Sequence, residues 1–370
     1  MKTFLEVSSL HEAQMTGIPE TVCGLAECAL NEADADNMRF VVGASEVHRD
    51  IVAKVVEARD GTVMNAYLAG GFSSPLRVDP DDWNAGIYCH RVSMHRVFDR
   101  QAMVLYDLTP LTCPQYHSAD TIHNFNTNFT REVSSVDHVV TISDAVYQDF
   151  VGYFPEYTHK TSSSLCGLPY GALTVPDIDL PSSLTNKPYF VSVGTLEPRK
   201  NNVLIFEMLS RYPELLSTHR FVFIGKRGWG DDIETLVEAM GLKSALQAGQ
   251  IIFTGFVNED VKRKLIAGSV ALIYPSHYEG FGLPLIEALA LGKAVICRPG
   301  TSIPQVTGDH AFYIKRSEPD ALRTAIAQVL ANPQAIADQA ANYIEWAKRF
   351  QWESIWSLLK NSIAPPEQAQ

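Results

Sequence analysis

The chain predicts an α/β fold made of doubly wound parallel sheets, and three observations carry that prediction. From Pro188 onward short apolar runs alternate with helix-length stretches, the first half repeats this style with longer loops, and glycine-bearing turns follow the apolar runs. Alternation of this kind gives a parallel sheet with helices on both faces and ligands at the carboxyl ends of its strands. A chain of 370 residues is long enough for roughly two such domains.

In the first half, candidate strands cover 3–7, 40–44, 63–68, 103–106 and 139–142. The opening Met1 to Ser8 reads as a strand broken by an acid, not as a secretory leader. A polar stretch with Pro and Ser over 176–188 reads as a linker, which puts the boundary near Leu184. Beyond it, strands are expected over 189–194, 221–225, 251–255, 270–274, 294–297 and near Phe312. The intervening helices start at about Asn202, cover 232–240 and 259–267, and start again at Pro284. The domains are therefore 1–183 and 184–351, with an apolar-periodic helix over about 352–363 and a frayed tail after it.

The composition, 46% hydrophobic and 19% charged, is that of a globular protein. A formal net charge of −12 argues against nucleic acid as a partner, because phosphate-backbone binding needs a basic footprint. It leaves open a local basic patch against an anionic membrane. No stretch approaches the ~20 apolar residues that span a bilayer, so a cytoplasmic protein is expected, with peripheral attachment at the inner face of the plasma membrane left open. The six cysteines are scattered without Cys-x-x-Cys or paired histidine spacing, which predicts free thiols and no zinc site.

The chemistry concentrates in Tyr274-Pro-Ser-His-Tyr-Glu-Gly-Phe-Gly-Leu-Pro-Leu-Ile-Glu287, a strand end, a glycine turn and a helix start with Pro284 at its entrance. Backbone N–H groups and the positive end of the helix dipole make such a place an anion site, suited to a diphosphate. Glu279 and Glu287 flank the turn, and a carboxylate beside phosphate must reach past it to neutral hydroxyl donors, one on a sugar and one on a ribose. Taken alone, Glu287 is equally an acid placed favourably near a helix start, and Gly280 and Gly282 equally ease the turn. A second turn, Gly194-Thr-Leu-Glu-Pro-Arg-Lys-Asn201, brings Arg199 and Lys200 to a helix entrance, where they would meet the charge that grows on a leaving nucleoside diphosphate. Alone it reads as a solvated basic loop; two such turns at strand ends of one sheet favour the functional reading.

The run Glu279-Gly-Phe-Gly-Leu-Pro-Leu-Ile-Glu287, with Ala288-Leu-Ala-Leu-Gly-Lys-Ala-Val-Ile296, Ser302-Ile-Pro-Gln-Val-Thr-Gly-Asp309, the Val193–Asn201 loop and Phe223-Ile-Gly-Lys-Arg-Gly-Trp229, resembles the donor-site signature of retaining glycosyltransferases of family 4. The resemblance covers most of the second half and only islands of the first, Thr16-Gly-Ile-Pro19 and Tyr106-Asp-Leu-Thr-Pro110. It implies the GT-B fold, two Rossmann-like domains facing across a cleft, with the last helix returning to the N-terminal, acceptor-side domain. It also implies a nucleotide-sugar donor at Arg199, Lys200, Glu287, Gly280, Phe281, Gly282, Leu283, Gly17, Gly225 and Val257, and a reacting centre at Glu279, Lys200 and Asp107. His95, His117 and His123 are further candidates near the acceptor. Three positions depart from the family pattern: Thr195 and Tyr106, where relatives carry Arg and His, and Gln305, where they carry Glu.

The mechanism so implied is transfer with retention, in which the departing phosphate helps to take the acceptor proton and no metal or other cofactor takes part. The variant Glu197-Pro-Arg-Lys-Asn201 is similar to that of bacterial mannosyl- and rhamnosyltransferases of surface polysaccharides. GDP-mannose is thus the first expected donor, ahead of GDP-fucose and dTDP-rhamnose, and a glycan or lipid-linked saccharide the acceptor. A nucleotide-sugar epimerase on the same fold and a non-catalytic nucleotide-sugar-binding scaffold are the competing readings. A dehydrogenase does not fit, since the third glycine position of a dinucleotide fingerprint is Leu285.

Overall fold

The computed structural model describes residues 1–92, 96–169, 171–230 and 232–366. It divides into two compact units, Met1–Pro169 with Phe350–Gln370, and Tyr170–Arg349. His95 lies outside the described residues.

The first unit is built on eight strands: β1 (Lys2–Glu6), β2 (Met38–Val42), β3 (Ser45–Val47), β4 (Ser74–Pro75), β5 (Asn84–Tyr88), β6 (Arg100–Leu105), β7 (His138–Thr141) and β8 (Thr161–Ser163). Their order in the sheet is β4-β3-β2-β1-β5-β6-β7-β8. All pairs are parallel except those of β3 with β2 and with β4, which form an antiparallel edge. Winding runs outward from β1 to β2 and then returns to β5 on the other side of β1, so the topological switch lies between β1 and β5.

One expected strand of this unit is a helix, and β3, β4, β5 and β8 are strands the sequence reading does not foresee. Residues 63–68 belong to the helix Thr62–Ala69, not to a strand. The apolar run hid a start signal, for Asp60 accepts from the Thr62 N–H at 2.9 Å, and Met64 alone among the apolar residues here is wholly buried. Strand β5 went unseen because Asn84 and Gly86 have low strand propensity. Tertiary packing decides it: a Cβ on Gly86 would meet the Phe98 ring at 2.2 Å, and Asn84 donates to the carbonyls of Asp79 and Asp82 at 2.7 and 2.6 Å.

The helix Trp352–Ser362 packs on β6, β7 and the helix Gly17–Leu30 of this unit. Ile355 and Leu359 are fully buried on one face of it. The Trp352 ring covers Gly24 and Gly167, where a Cβ would meet it at 2.3 and 2.5 Å, and its Nε1 donates to the Leu168 carbonyl at 2.7 Å.

The second unit is a wholly parallel sheet of β9 (Tyr189–Val193), β10 (Arg220–Ile224), β11 (Ile251–Gly255), β12 (Ala271–Tyr274), β13 (Ala294–Cys297) and β14 (Ala311–Tyr313), in the order β11-β10-β9-β12-β13-β14. Every residue of β9, β12 and β13 is buried, as continuous apolar runs covered on both faces should be. The switch point is between β9 and β12. Residues 171–183 belong to this unit, whereas a boundary near Leu184 would leave them in the first. Cations of the helix Glu259–Gly268 hold that segment: Arg263 donates to the Gly171 carbonyl and to Thr174 Oγ1, and Lys264 Nζ to the Pro176 carbonyl at 3.2 Å.

Candidate functional site

The two turns singled out in the sequence leave the carboxyl ends of β9 and β12, the strands on either side of the second unit's switch point. After β9 the chain reaches a 3-10 turn, Pro198–Lys200, closed by Asn201 with φ +53° and followed by the helix Val203–Arg211. Asn201 is buried and donates to the Pro275 carbonyl and to Ser317 Oγ, both at 3.2 Å. After β12 the chain passes Glu279 and the glycine turn into the helix Leu283–Ala290, with Pro284 its second residue. Gly282 has φ +103°, a conformation that costs a residue with a Cβ dearly. Ser302 Oγ, wholly buried, lies 2.8 Å from the carbonyls of both Glu279 and Phe281, and Thr301 Oγ1 accepts from the Glu279 N–H at 3.1 Å.

These turns bring together three charged side chains 79 and 80 residues apart in sequence. Lys200 Nζ donates to Glu279 Oε1 and to the Tyr274 hydroxyl, each at 2.8 Å. Arg199 Nη1 donates to Glu279 Oε2 at 3.2 Å and to the Tyr278 carbonyl at 2.7 Å, while Nη2 meets Glu197 Oε1 at 2.5 Å. Glu279 is 5% exposed, so its charge is viable only because two cations share it. Burial pushes its carboxyl up, yet Lys200 and Arg199 outweigh burial and hold it at about 2. For Lys200 burial prevails over the attraction of Glu279, with Arg199 adding to it, and the ammonium falls below its usual range. An arriving diphosphate would reverse that loss, because it adds negative charge beside the lysine.

The sequence reading turned Glu279 toward sugar hydroxyls; the structure turns it onto Lys200 and Arg199. Glu287, expected at a ribose, is 3% exposed and its Oε1 accepts from Lys262 Nζ at 2.9 Å, with Glu259 on the same ammonium at 2.7 Å. Lys262 was missed, and only an alternating-charge helix, Glu259 to Lys264, hinted at it. Tyr274 and Ser302 lie inside the Tyr274–Glu287 and Ser302–Asp309 stretches, where the sequence alone assigns them no role.

Gly280, Phe281 and Gly282 are buried and Leu283 half-buried, which leaves backbone groups as what they can present. Gly225 follows β10, where a Cβ would lie 2.1 Å from the Gly194 carbonyl oxygen, so only glycine lets these two loops approach. Val257 is half-buried in the loop after β11.

In the first unit, Gly17 heads the helix Gly17–Leu30, and an added Cβ there would meet nothing within 4 Å. Asp107 Oδ1 accepts from Thr109 N at 2.9 Å and Thr109 Oγ1 at 2.7 Å, the capped-turn arrangement that competed with a catalytic role. The Tyr106 hydroxyl donates to the Cys89 carbonyl at 2.7 Å, and burial pushes it well above the usual phenol range, so it stays neutral. His117 precedes the helix Ala119–Ser135 and His123 lies within it.

Among the described residues no three His, Cys, Asp or Glu side chains gather as a metal site, and no helix is long and apolar enough to cross a membrane. All six cysteines are free.

Two wound α/β sheets, the second with both glycine turns at its switch point, define a protein of the GT-B class, and comparisons with known proteins agree. HepE of Anabaena, solved in complex with UDP and glucose, superposes with a TM-score of 0.66 at 14% identity, over 98% of this chain and 99% of that one. WaaG, a glycosyltransferase involved in lipopolysaccharide biosynthesis, gives 0.64 at 15% identity over 97% and 99%. In sequence, O-antigen chain mannosyltransferase B of Escherichia coli is 30% identical over 274 residues, 70% of this chain and 68% of that protein. O-antigen chain mannosyltransferase RfbU of Salmonella typhimurium is 23% identical over 265 residues, 71% and 69%. Residues 179–350 match the family described as glycosyl transferases group 1. The chain belongs to this glycosyltransferase family.

Proposed function

We infer that the chain moves mannose from GDP-mannose to a glycan or lipid-linked saccharide in surface polysaccharide synthesis, with retention and without a metal ion, in the cytoplasm or at the inner face of the plasma membrane. The observation that carries this reading is the Lys200–Glu279–Arg199 cluster between β9 and β12, in which the buried Glu279 is shared by two half-buried cations. A sugar departs from a diphosphate only if the charge growing on the phosphate is met, and preorganised donors in a site shielded from water do that at the least reorganisation cost. Lys200 and the N-terminus of the helix Leu283–Ala290 supply the positive ends; Glu279 holds the two cations in place. Glu287, Gly225, Val257 and Gly17 are assigned to the rest of the donor, and Asp107 to the acceptor side. The departing phosphate takes the acceptor proton on the face it leaves, so the new bond keeps the old configuration. Mannose is favoured by the mannosyltransferases among the relatives.

A donor panel tests it. A ligand at 100 times its Kd raises stability by about 2.7 kcal/mol, so GDP should shift melting more than UDP or dTDP. With GDP-mannose and a mannoside acceptor, NMR of the product should show the α-anomer, with the rate unchanged by EDTA. An inverted product, or activity that EDTA abolishes and magnesium restores, refutes the mechanism.

A further inference from the structure

The first unit holds a buried carboxyl that this reaction scheme does not use. Glu6 ends β1, and its register neighbours are Val41 on β2 and Tyr88 on β5. It therefore stands at the switch point of its sheet, where open α/β folds bind their ligands outside the strand ends. The residue is only 6% exposed. Its Oε1 accepts the Ser8 N–H at 2.7 Å, while Oε2 has no hydrogen-bond partner among the described residues. A buried acceptor left without a donor costs stability, so the atom requires an explanation. Burial pushes this carboxyl up, against the Ser8 hydrogen bonds and the His11 charge that pull it down. Tyr106, which follows β6 and feels the Glu6 charge, is already engaged with the Cys89 carbonyl.

We propose that Glu6 is an acceptor-binding residue, whose Oε2 takes a hydrogen bond from a hydroxyl of the saccharide that receives the sugar. The ligand class is a neutral polyol: an anion would be repelled by the carboxylate, and an apolar group would leave the oxygen as costly as before. Glu6 orients this hydroxyl and exchanges no proton with it. The assignment rests on the transferase reading above, extending it to the acceptor side.

The test uses the full chain, GDP-mannose and octyl α-mannoside. Glu6→Leu should raise the KM for the mannoside about tenfold or more, the scale of one hydrogen bond to a charged group. Hydrolysis of GDP-mannose without acceptor should stay at the wild-type rate, and Glu6→Gln, which keeps one carbonyl oxygen, should fall between the two. An unchanged mannoside KM in Glu6→Leu overturns the proposal. So does parallel loss of transfer, hydrolysis and melting temperature in both variants, the mark of a purely structural role. Wild-type protein that hydrolyses GDP-mannose but leaves the mannoside untouched overturns the ligand class assigned to Glu6 while leaving the donor reading standing. Wild-type protein inert toward GDP-mannose rejects the donor reading itself.

Discussion

Glu279 shows how a single side chain can change its meaning between sequence and structure. Both of its oxygens face cations, so Glu279→Gln would leave the half-buried Lys200 and Arg199 beside a neutral group. Breaking a buried pair from one side costs about 3–5 kcal/mol, and chemical denaturation should show a loss on that scale. The pH dependence has a definite sign. The folded carboxyl is depressed from 4.5 to about 2, so its stabilisation is fully present above the higher value and is lost as pH falls through the lower. Glu279→Gln should flatten the stability curve in that acid window; an unchanged acid slope means the pair contributes nothing there. Lys200→Ala bears on chemistry instead: kcat should fall about 10²–10³-fold, with partial rescue by Lys200→Arg because a planar fork does not reproduce a compact ammonium. Steady-state kinetics with a wild-type kcat in Lys200→Ala would remove this loop from the active site.

Two helix entrances make separable predictions at the scale of the element. The helix Gly17–Leu30 begins at a glycine with open space around its missing Cβ. Gly17→Ala should therefore fold with an unchanged melting temperature, and a raised KM for the donor would then report the approach of a ligand to that backbone. Equal donor KM in wild type and variant would reduce Gly17 to an ordinary loop glycine. At the helix Leu283–Ala290, Ser302 holds the preceding turn through the carbonyls of Glu279 and Phe281. Ser302→Ala leaves buried carbonyls short of a donor at a cost of about 1–3 kcal/mol, and calorimetry should find a lower melting temperature together with weaker GDP binding. Loss of stability with intact GDP affinity would show that the turn keeps its shape without the hydroxyl.

At the scale of the whole molecule, the C-terminal helix belongs to the unit that the N-terminus begins. Trp352, Ile355, Trp356 and Leu359 are all buried there, and each such side chain contributes roughly 1.5–3 kcal/mol. A chain ending at Phe350 should lose hydrogen-exchange protection across residues 1–169 and keep it across 170–349, with GDP still protecting the second unit. Uniform loss across both units would mean that they do not fold independently.

What the sequence determined by itself was local in origin. Alternation of apolar runs with helical stretches fixed two wound parallel sheets, since burial on both faces leaves few other arrangements. Glycine turns at strand ends marked the candidate anion site, because a helix entrance and its anion affinity are written within a dozen or so residues. Only tertiary structure decided the rest. The pairing of Lys200 with Glu279 and of Lys262 with Glu287 spans 79 and 25 residues, a separation no periodicity encodes. Strand β5 exists because Phe98 fills the space above Gly86, and 171–183 joins the second unit because Arg263 and Lys264 hold its carbonyls and Thr174. The acid that breaks the first apolar run was visible from the start, but that one of its oxygens is buried without a donor follows from strands β2 and β5 closing around it.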